Sequence, residues 1–335
     1  MDGACLLVAD AEFIKHIKSR GVSGDLVMRD SASYQGKVPS SIQNVLVFCR
    51  KGELTLIRRL QNKYPDKTII SGTYEFSVLR ADGLPTLDNV NGSYPQDGEP
   101  PIVILSAPYG AADYLGHLIS DATGIDFVEH LGRPMLNWIR LAEDFQVSRF
   151  FANAACGSSP DKPFATVLLA DVVDAALNCT NLSQERLVRT LNSSKAKVLL
   201  LRHPPRFDHA FSSALLERSR LRFCAQASAG KPHPVNPSKV TMMAALRWAQ
   251  TLGHQEALVT AIGDGLDTVL EIDAEDLLSC PGEQLASVTD FLGLGATNNG
   301  SVTSYTDYAR PVDELEKTTM PMKRQLIDQL GLHLT

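Results

Sequence analysis

Two stretches of this chain combine residue types that can bind an anion. The first, Ser106–Ala112 (SAPYGAA), follows the apolar run Ile102–Leu105 (IVIL) and precedes a helical pattern. In open parallel sheets, ligands bind at the carboxyl ends of strands, where a helix N-terminus offers free N–H groups to a phosphate. Gly110 would let the backbone approach such an anion closely. The stretch contains no Lys, Arg or Thr, so it is not a G-x-x-x-x-G-K-[ST] loop, and an ordinary strand-to-helix turn stays the alternative.

The second stretch is 197–213 (KVLLLRHPPRFDHAFSS), in which an apolar strand ends at Arg202 and a helix carrying Ser212 follows. An arginine at the carboxyl end of a strand and a serine on the next helix can hold a phosphate between guanidinium and hydroxyl groups. The alternative is a surface charge at position 202 and a serine without a ligand. A third stretch, 268–294, predicts a strand, an acidic segment and a packing helix that begins at Pro281.

The elements that must position these residues alternate between strands and helices. After residue 100, apolar strands are predicted at 102–105, 164–169, 197–201 and 268–272, with helices between them. This order predicts a parallel sheet covered by helices on both faces. The first hundred residues predict a smaller α/β unit with a structural or docking role, and 81–100 is dense in Gly, Pro, Asp and Asn. We therefore expect a small α/β domain at 1–80, a linker at 81–100 and a larger domain at 101–335.

Composition excludes several classes of function. The 335 residues carry a formal charge of −6, which argues against nonspecific nucleic-acid binding but allows an anionic cofactor in a local basic pocket. The six cysteines are scattered without a C-x-x-C pair or a neighbouring His, so we expect no metal site and a reducing compartment. The N-terminus lacks the positive charge of a signal peptide, and no apolar run approaches about 20 residues. We expect a cytoplasmic protein with no transmembrane segment.

In their order, these stretches resemble the motifs of sulfotransferases that use 3′-phosphoadenosine-5′-phosphosulfate (PAPS). That family shows a strand, a P-[KR]-S-G-[ST]-like loop and a helix, then a strand ending in Arg with a downstream Ser, and later E-D-L-L-x-x-P followed by F-L-G-L. Here the matches are 106–115, Arg202 with Ser212, and 275–281 through 291–294, the last being the most specific. The resemblance covers about 101–295 and is closest to bacterial carbohydrate sulfotransferases of the trehalose-sulfating type.

The resemblance implies a fold, a reaction and a binding site. The fold would be a P-loop-type parallel sheet sandwiched by helices, and the reaction would transfer a sulfuryl group from PAPS to a hydroxyl of a saccharide, a glycolipid or another small molecule. Backbone N–H groups of Gly110, Ala111 and Ala112 would hold the 5′-phosphosulfate. Arg202 and Ser212 would hold the 3′-phosphate, which is retained in the product 3′-phosphoadenosine-5′-phosphate (PAP).

The resemblance also implies a catalytic base shortly after the first helix of the larger domain. The matching residues are 123–130 (TGIDFVEH), so Glu129 or His130 is the candidate. Either side chain could take the proton as the hydroxyl attacks sulfur, and histidine ordinarily titrates closer to neutral pH. The alternative for both residues is a solvated charge on a loop or helix.

A second hypothesis follows from the composition of the first stretch. Pro108 stands where the resembled family has Lys or Arg, and Tyr109, Ala111 and Ala112 stand where it has Ser and Thr. Such side chains neutralise charge on the departing group, and losing one electrostatic donor commonly costs about 10²–10³ in rate. The chain could therefore be a catalytically inactive sulfotransferase-fold protein that acts as a binding or scaffold module. Homo-oligomer formation is open under both hypotheses.

Overall fold

The computed structural model describes residues 5–11, 14–15, 18, 26–49, 52–72, 78–79, 100–108, 111–130, 135–136, 139–140, 145–157, 163–203, 210, 213 and 242–294. These residues form two separate β-sheets, one from 5–71 and one from 78–273. Within these ranges, no helix combines the length and the apolar character that crossing a membrane requires.

The first sheet has four parallel strands in the order β2-β1-β3-β4. Its elements are β1 (Cys5–Ala9), β2 (Leu26–Asp30), β3 (Asn44–Phe48), α1 (Glu53–Lys63) and β4 (Thr68–Ser71). Central strand β1 is buried along its whole length, which fits its unbroken apolar sequence CLLVA. Helix α1 buries Ile57 and Leu60 against this sheet.

The second sheet has six strands in the order β10-β9-β6-β8-β7-β5. Its strands are β5 (Val78–Leu79), β6 (Ile102–Ser106), β7 (Asp126–His130), β8 (Phe164–Leu169), β9 (Lys197–Arg202) and β10 (Val269–Asp273). Strands β6 to β10 are parallel, whereas the short edge strand β5 pairs antiparallel with β7. Because β5 belongs to this sheet and 80–99 lie outside the described residues, the boundaries 1–80, 81–100 and 101–335 stay a prediction.

Helices cover both faces of the second sheet. They are α2 (Ala112–Thr123), α3 (Val147–Gly157), α4 (Ala170–Cys179), α5 (Gln184–Ser193), α6 (Met242–Gly263), α7 (Ala274–Ser279) and α8 (Pro281–Leu292). On β9, Val198 and Leu200 contribute to the core formed with α3, α4, α5 and α6, while Leu199 and Leu201 contribute to the core formed with α2, α7 and α8. The predicted fold class, an α/β protein with a P-loop-type parallel sheet between helices, is confirmed.

The order of the strands singles out the carboxyl end of β6. From β6 the chain forms β7 and β8 on one side, then crosses to form β9 and β10 on the other side. A strand flanked by such a reversal marks a topological switch point, and the crevice beyond its carboxyl end is where open parallel sheets bind ligands. The stretch from Ser106 to Ala112 leaves the sheet at this place.

Candidate functional site

The turn after β6 leads into a helix whose first N–H groups receive no hydrogen bond from the cap side chain. Ala111 precedes α2, and its methyl group cannot accept a hydrogen bond as Ser or Asp would. The carbonyl of Ala111 accepts the N–H of Leu115 at 2.9 Å, which closes the first turn. Ala111 and Ala112 are both buried, whereas Gly110 lies outside the described residues. The N-terminus of α2 therefore lies at the switch point, where the positive end of the helix dipole favours an anion.

Arg202, at the carboxyl end of β9, lies at the same edge of the sheet. Strands β6 and β9 are paired with Ser106 opposite Leu201, so the two predicted phosphate-binding stretches leave the sheet side by side. Alternation along β9 places Arg202 on the face of Leu200, which is covered by α6, whereas α2 covers the other face. The structure therefore brings the two stretches to one edge, with the guanidinium on the α6 side. Ser212, its predicted partner, lies outside the described residues.

The Arg202 guanidinium already has two protein partners. It donates to Glu271 Oε2 at 2.9 Å and to Thr260 Oγ1 at 3.1 Å. The hydrogen bond and charge of Glu271 raise the pKa of Arg202, so the arginine stays charged. Both side chains of the ion pair are partly exposed to water, at 40% and 54% exposure. Pairs of this kind contribute only about 0.2–1 kcal/mol, so a ligand phosphate could replace Glu271 at low cost.

Glu129 and His130 lie in β7, not in a loop or a helix. Their backbones pair with Leu79 and Val78 of β5, and their side chains are outside the described part of the chain. Strand β8 stands between β7 and β6, so these residues belong to a strand about 10 Å from β6, or two strand spacings. Their predicted role as base stays a prediction.

Asp171 is a carboxylate that the sequence analysis did not identify. Leu169, the last residue of β8, stands opposite Ser106, and Asp171 follows two residues later in the first turn of α4. Burial raises the pKa of this carboxyl to about 6, although the Val172 N–H and the Arg140 charge oppose the rise. Its Oδ1 is buried and has no hydrogen-bond partner within the part of the chain that the structure describes.

Glu256 is a second buried carboxylate that the sequence analysis missed. It accepts the backbone N–H of His203, the residue after β9, at 3.1 Å. Burial raises its pKa to about 7, and the His203 N–H and the Arg202 charge only partly offset this effect. Glu256 therefore joins α6 to the carboxyl end of β9, and it can gain or lose a proton near neutral pH.

Two further buried polar atoms belong to Gln255 of α6 and to Ser213. Gln255 Oε1 and Ser213 Oγ have no hydrogen-bond partner among the described residues, and the two residues are 3% and 0% exposed. An unpaired buried group of this kind costs about 1–3 kcal/mol, so each calls for an explanation such as a bound ligand or water. Leu252, one turn before Gln255, packs against Ala107 of the turn after β6 and against Ala210.

A sequence signal for the missed residues existed but was weak. Asp171 follows the predicted strand 164–169 almost directly, as a residue at a carboxyl edge must. Glu256 stands four residues after Leu252 and three before Val259, which is the spacing of a buried helix stripe, so an acid there is unusual. Among the described residues, no group of three or more His, Cys, Asp or Glu side chains is placed to hold a metal ion.

Comparisons with known proteins give limited similarity. No protein-family model matches the chain, and no curated protein matches it. Among solved structures, a sulfotransferase domain from the curacin biosynthetic pathway is similar at 11% identity and a TM-score of 0.31, over 71% of this chain and 100% of that domain. The sulfotransferase domain of the Synechococcus PCC 7002 olefin synthase is similar at 15% identity and a TM-score of 0.28, over 73% of this chain and 98% of that domain. Both TM-scores are below 0.5, so these similarities assign no function to the chain.

Proposed function

We propose that the carboxyl edge around β6 binds PAPS and that the protein transfers its sulfuryl group to a hydroxyl of a saccharide, a glycolipid or another small molecule. The observation that carries this proposal is the turn at the switch point, where β6 leads within a few residues into the N-terminus of α2, a helix without a side-chain cap. A helix N-terminus attracts negative charge through its dipole and its free donors. The backbone N–H groups of Gly110, Ala111 and Ala112 would hold the 5′-phosphosulfate.

The 3′-phosphate would be held by Arg202 together with Ser212. The neighbouring ends of β6 and β9 favour this assignment, because both groups of one nucleotide can be reached from adjacent strands. Arg202 would exchange its exposed contact with Glu271 for a phosphate, which carries more charge and accepts a bidentate pair. Asp113, in the first turn of α2, favours the helix dipole but repels a bound anion, so Arg202 must supply much of the attraction.

Calorimetric titration with PAP tests the binding step. Wild-type protein should bind PAP more tightly than adenosine 5′-monophosphate, which lacks the 3′-phosphate. Arg202→Ala should weaken PAP binding about 10- to 100-fold, since a hydrogen bond to a charged group contributes about 1.5–3 kcal/mol. Arg186→Ala, which removes an exposed arginine of α5, is the matched control and should leave the affinity unchanged. Equal affinity for the two nucleotides would refute the assignment of a 3′-phosphate site.

A second candidate function is nucleotide binding without transfer, as a binding or scaffold module. Two observations favour it: Arg202 is engaged by Glu271 and Thr260, and the described residues of the turn after β6, 106–108 and 111–112, carry no basic side chain. The two candidates differ in turnover. Incubation with ³⁵S-labelled PAPS and candidate hydroxyl acceptors should yield labelled product for the enzyme, whereas PAP binding without any product would favour the module.

The location that we propose for either function is the cytoplasm. Cys5, Cys49, Cys179 and Cys280 are free thiols, and the first two are buried, where they act as small apolar side chains. This usage suits a reducing compartment. Non-reducing mass spectrometry of the protein isolated from its native cells should detect six thiols, and stable disulfides would contradict the proposal.

A further inference from the structure

We propose that Asp171 and Gln255 form the subsite for the sulfuryl acceptor, in which Asp171 takes the proton of the attacking hydroxyl and Gln255 accepts a second hydroxyl of the same molecule. This inference rests on the proposed function, because it places the acceptor beside the phosphosulfate. The acceptor would be a polyhydroxylated compound such as a saccharide. Neither residue belongs to the site predicted from the sequence.

The position of Asp171 relative to β6 is the first support. Strand β8 is the direct neighbour of β6, and its last residue stands opposite Ser106. Helix α4, in which Asp171 is the second residue, therefore begins about one strand spacing, or about 4.8 Å, from the strand that ends in the phosphosulfate turn. Glu129 and His130 belong to the next strand along, twice as far from β6. A group that accepts a proton must come within hydrogen-bond distance of the reacting oxygen, which favours Asp171.

Gln255 reaches the same edge from the neighbouring helix. Helices α4 and α6 are packed together, and His254 Nε2 contacts Asp174 Oδ1 at 3.0 Å. Asp171 lies one turn before Asp174, and Gln255 directly follows His254, so both residues belong to the helix turns at this interhelical contact. Leu252, on the same buried stripe as Gln255, touches Ala107 of the turn after β6. Both residues are thus tied to the end of β6.

The unpaired atoms define the chemistry of the missing partner. Asp171 Oδ1 and Gln255 Oε1 are both acceptors without a donor among the described residues. Two hydroxyl groups of a sugar would supply the two missing donors, whereas an apolar acceptor would leave both atoms unpaired. Both atoms are buried.

The charges around Asp171 suit a proton acceptor at neutral pH. Arg140 favours its ionised form, and Asp174 opposes it, while Asp174 is itself paired with His254 of α6. Glu256, on α6, is a further carboxylate at this edge, and it accepts the His203 N–H. Burial raises the pKa of Asp171 to about 6. Most Asp171 side chains are therefore ionised at pH 7, and the carboxylate is basic enough to accept a proton.

In the proposed step, the acceptor oxygen forms a bond to sulfur while the bond between sulfur and the bridging oxygen of the 5′-phosphate breaks. The electron pair of that bond goes to the phosphate oxygen, and PAP leaves. The hydroxyl proton passes to Asp171 Oδ1 and then to solvent.

The experiment compares wild-type protein with Asp171→Asn, Gln255→Leu and, as matched control, Asp290→Asn, which removes an exposed carboxylate of α8. PAP affinity is titrated between pH 5.0 and 7.5, and transfer from ³⁵S-labelled PAPS is followed with water and with molar glycerol as polyol probe. The negative charge of Asp171 should repel bound PAP, so Asp171→Asn should bind PAP about 3- to 10-fold more tightly at pH 7.5 and about equally at pH 5.0.

Transfer should fall at least about 100-fold in Asp171→Asn and lose the rise that wild type shows as pH increases through 6. Gln255→Leu should raise the KM for glycerol while PAP affinity stays as in wild type, and Asp290→Asn should behave as wild type.

The outcomes separate this inference from the proposed function. A wild type that does not bind PAP removes the proposed function and the inference with it. A wild type that binds PAP while Asp171→Asn shows the same affinity and pH dependence overturns only the inference. PAP binding without transfer to water or glycerol overturns the proton-accepting role and favours the binding module. Wild-type-like transfer in a folded Asp171→Asn variant returns the role to Glu129 or His130.

Discussion

Glu256 Oε1 accepts the backbone N–H of His203 at 3.1 Å, so the helix that covers one face of the second sheet is anchored to the residue that follows Arg202. The carboxyl group is buried, and this contact joins residues 53 positions apart. The arrangement links the protonation of one side chain to the geometry of the candidate site.

The first prediction concerns the pH dependence of stability at Glu256. Its pKa is raised from 4.5 to about 7, so the folded state binds more protons than the unfolded state between these values. The stability that protonated Glu256 contributes is therefore complete below pH 4.5 and is lost as the pH rises to 7. Glu256→Gln keeps an acceptor for the His203 N–H without a charge. It should be more stable than wild type by about 2–3 kcal/mol at pH 8 and about equal to it at pH 4.5.

Urea unfolding at pH 4.5, 6 and 8 measures this difference. Glu271→Gln is the control, because Glu271 is exposed and its removal should change stability by less than about 1 kcal/mol at every pH. A Glu256→Gln variant that is destabilised by the same amount at all pH values would contradict the raised pKa of Glu256.

The second prediction concerns the contact between α2 and β7. Gly116 lies against the ring of Phe127, and an added Cβ would stand 2.2 Å from a ring carbon. The same ring makes an edge contact with His117 at 5.0 Å between centroids. Gly116→Ala should therefore lower the free energy of unfolding by about 1–2 kcal/mol, because the ring must move from its packed position.

Gly253→Ala is the matched control for that substitution. Gly253 also lies inside a helix, α6, but a Cβ there meets no atom within 4 Å. Alanine should stabilise this position by about 0.5–1 kcal/mol through its better helix propensity. Thermal unfolding of both variants gives the comparison, and a stabilised Gly116→Ala would contradict the close packing of α2 on β7.

Those parts of the fold that are determined by residues close together in the sequence could be predicted from the sequence. Strands β6, β8 and β9 are continuous apolar runs, so their positions and their parallel order follow from the chain itself. Strand β2 was not predicted from the sequence, because two of the five residues in LVMRD are polar. The strand is only partly buried, at an edge of the sheet. Strand β7, DFVEH, was missed in the same way, since it has few apolar residues.

The site was less predictable because its partners are distant in sequence. Alternation along β9 could have placed Arg202 on the face of Leu200, but its hydrogen-bond partners Glu271 and Thr260 are 69 and 58 residues away. The Asp171 Oδ1 atom is buried on α4, a helix that packs against α6, and α6 begins about 70 residues later. No local pattern encodes that burial, so the raised pKa of Asp171 could only come from the folded structure.

The third prediction concerns the reactivity of two thiols. Cys49 is buried at the end of β3, where burial raises its pKa to about 11, and the Glu53, Asp10 and Asp30 charges add to the effect. Only the thiolate is nucleophilic, and far less than one per cent of Cys49 is ionised at pH 7.5. Cys280, between α7 and α8, is an exposed free thiol. Iodoacetamide should therefore modify Cys280 at least about 100-fold faster than Cys49.

Peptide mass spectrometry after timed labelling resolves each thiol separately. Labelling in urea is the control, since unfolding should bring Cys49 to the rate of Cys280. Rapid modification of Cys49 in the folded protein would show that the first sheet opens readily or that the thiol is not buried.

The fourth prediction concerns the release of Arg202 from its ion pair. Glu271 Oε2 stands 2.9 Å from the guanidinium and competes with any phosphate for the same donors. Glu271→Gln keeps the size of the side chain but removes its charge, so Arg202 should bind the 3′-phosphate of PAP about 2- to 5-fold more tightly, in line with the small energy of an exposed pair. Calorimetric titration at about 0.05 M salt measures the gain in PAP affinity, and raising the salt to about 0.5 M should reduce this gain by screening.

Asp264→Asn is the control, because it removes another nearby negative charge that makes no hydrogen bond to the guanidinium, so its gain in PAP affinity should be smaller. If Glu271→Gln bound PAP more weakly than wild type, Glu271 would be holding Arg202 in its binding position, and the exchange of Glu271 for phosphate would be wrong.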